Sequence, residues 1–492
     1  MASEVKELHF VLIPLLSPGH VIPMVDMAKL LATHGIIVTI VTTPLNAVKF
    51  TSTIQRFTDS GLQIRLLHLH FPATEAGLPP GCENMEKLPS RDLIRNFYTA
   101  LTMLQDQFEQ AFHTLHPRPS CIISGKNLPW TVQTARKFGI PRIFFDGMGC
   151  FSFCCTHQIE SSQVHQNKSN SETFLVPNLP DRIELTRAKL PENLNPGSPD
   201  LSDVRDSIKA VESIADGIVV NTFEELESEY VKMFKKVKGD EKVWCIGPVS
   251  ACNRLKSDKS ERCQNESETD STELITWLDK RSPSSVIYAC LGSIPGLTTP
   301  QWIELGLGLE TSTHSFIWVI RKGEKSENLL KWIEIERFEE RNKGRGIIIK
   351  GWSPQVLILS HPSIGCFLTH CGWNSTLEGV SAGVPIVTCP LFAEQFYNER
   401  LVVDVLKIGV SVGVESAVTW GLEHKFGVVM KREDVRKAVE VVMEKGGEGD
   451  ERRRRAREIG EVARNAIEEG GSSYFNVKML IQFVQDSIKN YV

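Results

Sequence analysis

The stretch FLTHCGWNSTLE, residues 367–378, decides how this chain folds. Its apolar first residues favour a buried β-strand that ends at His370, and the residues after the turn favour a helix. Gly372 lets the backbone turn tightly, and Asn374 and Ser375 are residue types that cap helix N-termini. The stretch therefore predicts a strand-to-helix turn of an α/β domain, with N–H groups left without helical partners at the start of the helix.

A turn of this kind is a predicted anion site. The N–H groups and the positive end of the helix dipole favour a negative charge, and His370 adds a further donor. We therefore expect a diphosphate to bind here without a divalent ion. One alternative is an ordinary strand-to-helix turn with a cap and no ligand. A metal cluster of Cys366, His370 and Cys371 is another, but the two-residue period of a strand places Cys371 on the face opposite the other two.

Short β-branched runs alternate with helical segments on both sides of this stretch. The runs are residues 9–16, 36–43, 63–71, 121–124, 141–145 and 217–221 in the first half, and 285–291, 316–320, 346–350, 364–369 and 385–389 in the second. This alternation is typical of parallel sheets with crossover helices. Residues 251–271, which separate the two series, are polar and lack helical or strand periodicity. The chain is thus predicted to contain two open α/β sheets in tandem.

Length and composition agree with two soluble globular domains. The chain has 492 residues, 41% of them hydrophobic and 23% charged, whereas single cores stop growing near roughly 250–300 residues. The net charge of -5 disfavours nucleic acid as a partner. The arginine-rich run at residues 451–458 is interpreted as a solvated helix face with i,i+4 ion pairs.

Several features favour the cytoplasm. The apolar run at residues 9–16 is too short for a signal peptide, and no stretch of about 18 apolar residues could span a membrane. The twelve cysteines lie mostly in apolar, strand-like segments, as buried reduced thiols do. A glycosylation sequon at residues 374–376 falls within the predicted anion site. In the secretory pathway a glycan attached there would obstruct the site, so the sequon favours the cytoplasm.

From Trp352 to Gln395 the sequence resembles the signature segment of plant family 1 UDP-dependent glycosyltransferases. The resemblance extends from Pro18-Gly19-His20 to the C-terminal helices, and it is greatest to the subgroup that acts on triterpenoids, steroids and flavonoids. It implies the GT-B fold, in which two facing Rossmann-like domains with parallel sheets enclose a cleft. The implied parts are an acceptor-binding domain at 1–250, a linker at 251–283, a UDP-sugar-binding domain at 284–465 and, at 466–492, a helix that returns to the first domain.

The resemblance also implies which residues bind the donor. Trp352 stacks on the uracil ring, and Gln355 and Glu378 hold the ribose hydroxyls. The diphosphate contacts are His370, Asn374, Ser375 and Ser293, and the sugar contacts are Trp373, Glu394 and Gln395. The chemistry of these side chains suits the roles, since an indole face fits a flat base and carboxylates and amides pair with hydroxyls. For Ser293 a plain turn serine is the alternative.

The segment LLSPGHVIPM, residues 15–24, joins the first strand to the first helix and places His20 just before that helix. The family uses a histidine here as the general base that deprotonates the acceptor hydroxyl, which then attacks and inverts the sugar carbon. A helix N-terminus would lower the pKa of His20 and keep it neutral. The aspartate that usually assists this histidine is replaced by Gly125. Asp146 and an acceptor that is itself acidic are the two alternatives that could compensate.

The expected protein is an inverting O-glycosyltransferase that moves glucose from UDP-glucose to a hydroxyl or carboxyl group of a small lipophilic plant metabolite. We expect a monomer that needs no metal or other cofactor, has no nucleic-acid partner and has no transmembrane segment. One alternative is a sugar-nucleotide-binding protein with little turnover, because Gly125 breaks the dyad. Another is a nucleotide-dependent oxidoreductase, although residues 17–20 lack its glycine-rich turn.

Overall fold

The fold is described from a computed structural model, which covers residues 7–195, 201–260, 262, 270–292, 297–321 and 324–490. The strands are β1 His9–Ile13, β2 Ile37–Thr42, β3 Ile64–His68, β4 Cys121–Gly125, β5 Arg142–Asp146, β6 Thr173–Leu175, β7 Glu184–Thr186, β8 Gly217–Val220, β9 Val243–Cys245, β10 Val286–Cys290, β11 Ser315–Ile320, β12 Gly346–Lys350, β13 Ile364–Thr369, β14 Ile386–Thr388 and β15 Gly409–Ser411. The helices are α1 Pro18–Thr33, α2 Pro44–Ala47, α3 Thr51–Asp59, α4 Ile94–Phe112, α5 Trp130–Phe138, α6 Cys150–Ser162, α7 Ser202–Glu212, α8 Ser228–Lys238, α9 Lys256–Ser260, α10 Ser271–Asp279, α11 Thr299–Thr311, α12 Glu324–Ile335, α13 Phe338–Arg341, α14 Gln355–Leu359, α15 Trp373–Ala382, α16 Gln395–Arg400, α17 Arg432–Met443, α18 Gly447–Ile467 and α19 Ser472–Asn490.

The first sheet joins seven parallel strands of the described chain in the order β3-β2-β1-β4-β5-β8-β9. Every residue of the inner strand β1 is buried, as expected when helices cover both faces of a parallel sheet. The register pairs Leu12 of β1 with Ile40 of β2 and with Ile123 of β4. The carboxyl ends of β1 and β4 therefore lie side by side, so the turns that follow them are neighbours.

The second sheet joins six parallel strands of the described chain in the order β12-β11-β10-β13-β14-β15. Thr369 at the end of β13 pairs with Cys290 of β10 and with Thr388 of β14. The turn predicted at residues 367–378 thus leaves the sheet near the middle of its carboxyl edge. The prediction of an α/β fold with two parallel sheets is confirmed.

The segment between the two sheets contains a short helix, α9, that its sequence does not predict. The carboxylate of Asp258 in this helix is buried, and it accepts from Lys29 of α1 at 2.5 Å and from Arg56 of α3 at 3.2 Å. These ion pairs, rather than an apolar stripe, hold the helix, so it leaves no periodic pattern. The lack of periodicity at residues 251–271 therefore does not exclude a helix, and α9 forms there.

Helix α19 packs on the first sheet, although α17 and α18 accompany the second. Val477, Leu480 and Val484 are buried in the core that also contains β1, and Phe483 meets Trp244 of β9 with ring centroids 5.0 Å apart. The C-terminal helix therefore ties the end of the chain to the first sheet. Neither α19 nor any other helix in the described ranges combines the length and apolar character needed to cross a bilayer.

The arginines of α18 have two kinds of surroundings, because two of them contact the end of α17 and one lies in solvent. Arg452 donates to the carbonyl of Val441 at 3.3 Å, and Arg453 donates to the following carbonyl at 3.0 Å. These carbonyls end α17 and lack partners within that helix. Arg454 instead pairs with Glu458 at 2.5 Å in solvent. The prediction of a solvated face is confirmed for Arg454 and is wrong for Arg452 and Arg453, because α17 ends against them.

Candidate active site at the cleft between the sheets

The carboxyl edges of both sheets border a cavity of about 400 Å³. Its walls come from the turns after β1, β4 and β5 on one side and from those after β10, β11, β12, β13 and β14 on the other. Such edges are where open α/β sheets bind ligands. The predicted site residues that line this cavity are His20, Trp352, Gln355, His370, Trp373, Asn374, Ser375, Glu378, Glu394 and Gln395. Ser293 lies outside the described residues.

The turn after β13 is shaped differently from the prediction. Cys371, rather than Gly372, has a positive φ of 63°, and Asn398 holds it by donating to its carbonyl at 2.8 Å. Gly372 has a φ of -58°, so the prediction that it provides the turn is wrong. Glycine is needed at position 372 because there is no space for a side chain. A Cβ there would lie 2.5 Å from Nε2 of His370. A Cβ on Gly292 would lie 2.6 Å from the same nitrogen.

Asn374 and Ser375 lie in the first turn of α15, whose N-cap is Gly372. Asn374 donates from Nδ2 to the carbonyl of Gly19 across the cleft at 2.7 Å, and Oγ of Ser375 accepts from Gln355 at 3.1 Å. The prediction that these side chains cap the helix is wrong, because partners from distant parts of the chain bind them instead. The first N–H groups of α15 consequently receive no side-chain cap and lie at the cavity wall.

His370 is neutral near pH 7. Burial, and then the positive charge of Arg321, lower its pKa to about 4. The ring can therefore donate one N–H to a ligand without adding a positive charge. Arg321 itself lines the cavity directly after β11, and its guanidinium lies 4.0 Å from the ring centroid of Trp352. Sequence reasoning missed Arg321, although a basic residue at the carboxyl end of a strand was an available signal.

Glu378 belongs to a charge network that reaches α1. Arg262 donates to Glu378 at 2.5 Å and to Asp26 at 2.6 Å, and Gln355 donates to the second oxygen of Glu378 at 2.8 Å. The side chains of Arg262, Asp26 and Glu378 are 11%, 2% and 6% exposed, so water screens these charges weakly. The carbonyl of Arg262 also accepts from Nε1 of Trp352 at 3.2 Å. Arg262 is a second site residue that sequence reasoning missed, since it lies in a polar segment without periodicity.

The predicted sugar contacts differ in which of their atoms can reach a ligand. The indole of Trp373 is buried and donates to the carbonyl of Asn221 at 2.8 Å, which leaves its backbone at the cavity wall. The carboxamide oxygen of Gln395 accepts from the N–H groups of Leu391 and the next residue at 2.8 and 3.1 Å. This fixes the side chain, and its NH₂ group is the part that can reach a ligand. Glu394 lies at the N-cap of α16.

His20 lies on the opposite wall, as the third residue of α1 rather than before that helix. Burial is the main cause that lowers its pKa to about 4, and the charge of Lys126 is the second. The predicted direction, a lowered pKa and a neutral ring, is confirmed, and burial is its largest cause. Nδ1 of His20 is buried and has no hydrogen-bond partner among the residues described. A Cβ on Gly147 would lie 3.5 Å from this nitrogen, in ordinary van der Waals contact.

Gly125 ends β4 and carries no strain that would exclude an aspartate. It is buried, and its φ is not positive. A Cβ there would lie 3.4 Å from the backbone nitrogen of Leu15 and beyond 4 Å from every atom of His20. The side chain of Asp146 falls outside the described part of the structure, so its role in assisting His20 stays a prediction.

Metal ligands are not grouped in the part of the chain that the structure describes. No three His, Cys, Asp or Glu side chains there are arranged to hold an ion. Cys366 and Cys371, which were considered with His370 for a metal cluster, are buried free thiols.

Comparison with known proteins identifies the family. Residues 6–251 match the glycosyltransferase N-terminal domain family, and residues 255–445 match the family described as UDP-glucoronosyl and UDP-glucosyl transferase. This chain belongs to the UDP-glycosyltransferase family. It is an enzyme with a GT-B fold, so the predicted family, fold class and enzyme type are confirmed. The oxidoreductase alternative is wrong.

Named UDP-glycosyltransferases resemble this one over its whole length. UDP-glycosyltransferase 73C3 of Arabidopsis thaliana is 50% identical over 96% of each chain, and 73C11 of Barbarea vulgaris is 47% identical over 98% of each. The crystal structure of UGT73P12 from Glycyrrhiza uralensis has a TM-score of 0.89 at 38% identity, covering 99% of this chain and 97% of its own. Phytolacca americana UGT2 has a TM-score of 0.73 at 25% identity, covering 98% of this chain and 99% of its own.

Replacing Arg262 by methionine should destabilise this UDP-glycosyltransferase, because Asp26 and Glu378 would lose their buried cation. We expect the free energy of unfolding to fall by roughly 3–5 kcal/mol. Thermal and urea melts measure the change. Arg254→Met is the matched control, since its pair with Glu468 is 63% and 54% exposed, and it should cost about 0–1 kcal/mol. Equal stability of the two variants would show that the Arg262 network does not hold the domains.

Proposed function

We propose that this enzyme transfers glucose from UDP-glucose to a hydroxyl or carboxyl group of a small lipophilic plant metabolite, with inversion at the sugar carbon and His20 as general base. The observation that carries the proposal is that His20 and the N-terminus of α15 border one cavity. The hydrogen bond from Asn374 to Gly19 joins their two turns at 2.7 Å. A base and an anion site held this close suit a one-step displacement.

The wall formed by the second sheet offers a group for each part of UDP-glucose. Trp352 would provide a platform for the uracil, and Gln355 and Glu378 would pair with the ribose hydroxyls. Arg262 already binds Glu378, so the ribose must share this carboxylate or displace the guanidinium. The diphosphate would lie at the start of α15, where the helix dipole and backbone N–H groups favour it. The proposed diphosphate contacts are His370, Asn374, Ser375 and Ser293, and the proposed sugar contacts are Trp373, Glu394 and Gln395.

The proposed chemistry at His20 is the removal of one proton. Nε2 accepts the proton of the acceptor hydroxyl as its oxygen forms the bond to C1 of glucose. The bond between C1 and the diphosphate oxygen breaks, UDP leaves with the electron pair, and the proton passes from His20 to solvent. Attack from the face opposite UDP inverts C1. The lowered pKa keeps His20 neutral, which is the state a base requires.

Ligands of related structures support a small lipophilic acceptor. The UGT73P12 structure contains glycyrrhetinic acid 3-O-monoglucuronide, a structure of Arabidopsis UGT89C1 contains quercetin, and the Phytolacca enzyme contains pterostilbene. We propose a triterpenoid, steroid or flavonoid acceptor for this enzyme, and a mass-spectrometric screen with UDP-glucose would identify it.

We further propose that the enzyme acts as a metal-independent monomer in the cytoplasm. All the residues of the proposed site belong to one chain. The eleven cysteines within the described ranges are free thiols, which is consistent with a reducing compartment.

His20→Ala should lower kcat/KM by on the order of 10²–10⁴, because the base is lost. The dissociation constant of UDP, measured by calorimetry, should change little, since the proposed UDP contacts lie on the other wall. His361→Ala removes a histidine that bonds Ser363 away from the cavity and serves as the matched control. Activity of His20→Ala near that of the native enzyme would contradict the proposed base.

The pH profile gives a second readout of the same base. Because the pKa of His20 is about 4, kcat/KM should stay level from neutral pH down to about 5.5 and fall as the pH approaches the pKa. A decline that begins near the ordinary histidine pKa of about 6.5 would place the base in a different environment.

UDP-glucose should outcompete UDP-galactose and UDP-glucuronate when equal concentrations are supplied together. The fixed carboxamide of Gln395 and the neighbouring Glu394 favour a correctly placed hydroxyl over a displaced hydroxyl or a carboxylate, and such polar sites discriminate strongly. Product ratios by mass spectrometry measure the preference. Transfer of glucuronate at an equal or higher rate would disprove the assignment of the donor.

A further inference from the structure

The turn proposed to bind the diphosphate has a backbone shape that its own sequence does not favour. Cys371 has a φ of 63°, in the left-handed region that residues with a Cβ rarely adopt. The residues that follow, from Gly372 to Ser375, line the cavity and begin α15. The direction of their N–H groups depends on the backbone of Cys371. The contacts that hold Cys371 in this conformation therefore also set the shape of the anion site.

A chain of two buried hydrogen bonds holds the carbonyl of Cys371. Nδ2 of Asn398, in α16, donates to this carbonyl at 2.8 Å, and Oγ of Ser152, in α6, donates to Oδ1 of Asn398 at 2.8 Å. All three residues are fully buried. Because a carbonyl can only accept, the amide must direct its NH₂ group to Cys371 and its oxygen to Ser152, whose hydroxyl must then donate. The chain therefore has one consistent direction.

This chain of hydrogen bonds begins in the first domain. Helix α6 follows β5 of the first sheet, whereas Cys371 and Asn398 belong to the domain of the second sheet. The start of α6 also packs against the turn, since a Cβ on Gly149 would lie 2.7 Å from Cη2 of Trp373. The same indole donates to the carbonyl of Asn221, directly after β8. The first domain thus helps to shape a turn that belongs to the second.

Helix α16 joins the turn to a proposed sugar contact. Gln395 and Asn398 are three positions apart in this helix, so they lie on one face of it. Gln395 is fixed by the N–H groups of Leu391 and the next residue, and Asn398 is fixed by Ser152. One short helix therefore carries a group proposed to hold the sugar and a group that holds the turn.

We propose that Asn398 and Ser152 are positioning residues of the donor site, which hold the turn at Cys371 so that the first N–H groups of α15 face the diphosphate of UDP-glucose. The proposal rests on the diphosphate binding at α15, as proposed above. Neither positioning residue belongs to the cavity wall, so both act through the turn. Their effect falls on the diphosphate and spares the nucleoside, because the proposed uracil and ribose contacts do not belong to the turn.

Calorimetric titration with UDP and with uridine separates these two parts of the ligand. Asn398→Ala and Ser152→Ala should weaken UDP binding by roughly 10-fold, as expected when a hydrogen bond to a charged group is misplaced, and should leave uridine binding unchanged. Ser152→Ala removes a single oxygen atom, so it tests the proposal even if Asn398→Ala does not fold.

Asn342→Ala is the matched control for Asn398→Ala. Asn342 is also buried, in the same domain, and donates to the carbonyl of Phe338 at 2.9 Å, but it does not line the cavity. This variant should lower the melting temperature without changing the ratio of the UDP and uridine dissociation constants.

A glycine at position 371 tests whether the backbone of the turn is the link. Glycine adopts a positive φ without the penalty that a Cβ imposes. Adding Cys371→Gly to Asn398→Ala should therefore restore part of the UDP affinity. If the double variant binds UDP no better than Asn398→Ala, the amide does not act through this turn, and the proposal is wrong.

His370→Ala separates a failure of the positioning role from a failure of the proposed diphosphate site. It removes a proposed diphosphate contact and should weaken UDP binding while sparing uridine. If it does so while the Ser152 and Asn398 variants bind UDP as the native enzyme does, or lose UDP and uridine equally, only the positioning role is overturned. If the native enzyme binds UDP no more tightly than uridine, the diphosphate site is wrong and the positioning role with it.

Discussion

The N-termini of helices α1 and α15 meet across the cleft, and the rest of the site depends on this meeting. Each helix directs the positive end of its dipole toward the same space, and Asn374 of one binds the carbonyl of Gly19 in the other at 2.7 Å. The two histidines in this space, His20 and His370, have a pKa lowered to about 4 and add no charge of their own. An anionic ligand therefore meets a favourable field from both walls, while the neutral ring of His20, the proposed base, stands beside it.

The two-sheet architecture could be predicted because buried parallel strands leave a strong pattern of apolar runs separated by polar turns. Local details could not, because their causes are distant in the sequence. Asn374 is a good N-cap type, yet it binds a carbonyl 355 positions away. Asp258 anchors an unpredicted helix through Lys29, 229 positions away. Contacts of this kind leave no periodicity and outweigh local preference.

The candidate site could be predicted where residues lie in the connections between a strand and the next helix, and His20 and His370 do line the cavity. Residues that act by holding others were missed, such as Arg262, which binds Glu378 from a segment without pattern. At Gly125 the sequence and the structure contribute different parts of the evidence. The missing acid is visible in the sequence, but the lack of a described partner for Nδ1 depends on the orientation of the ring and is visible only in three dimensions.

We propose that helix ends and neutral donors, rather than a divalent ion, stabilise the leaving diphosphate. Turnover after exhaustive treatment with EDTA tests this most directly, because a preorganised electrostatic site is part of the protein and cannot be chelated. We expect the treated enzyme to turn over at the untreated rate, with no further increase when magnesium or manganese is added. A large loss of turnover in EDTA that either ion restores would contradict it.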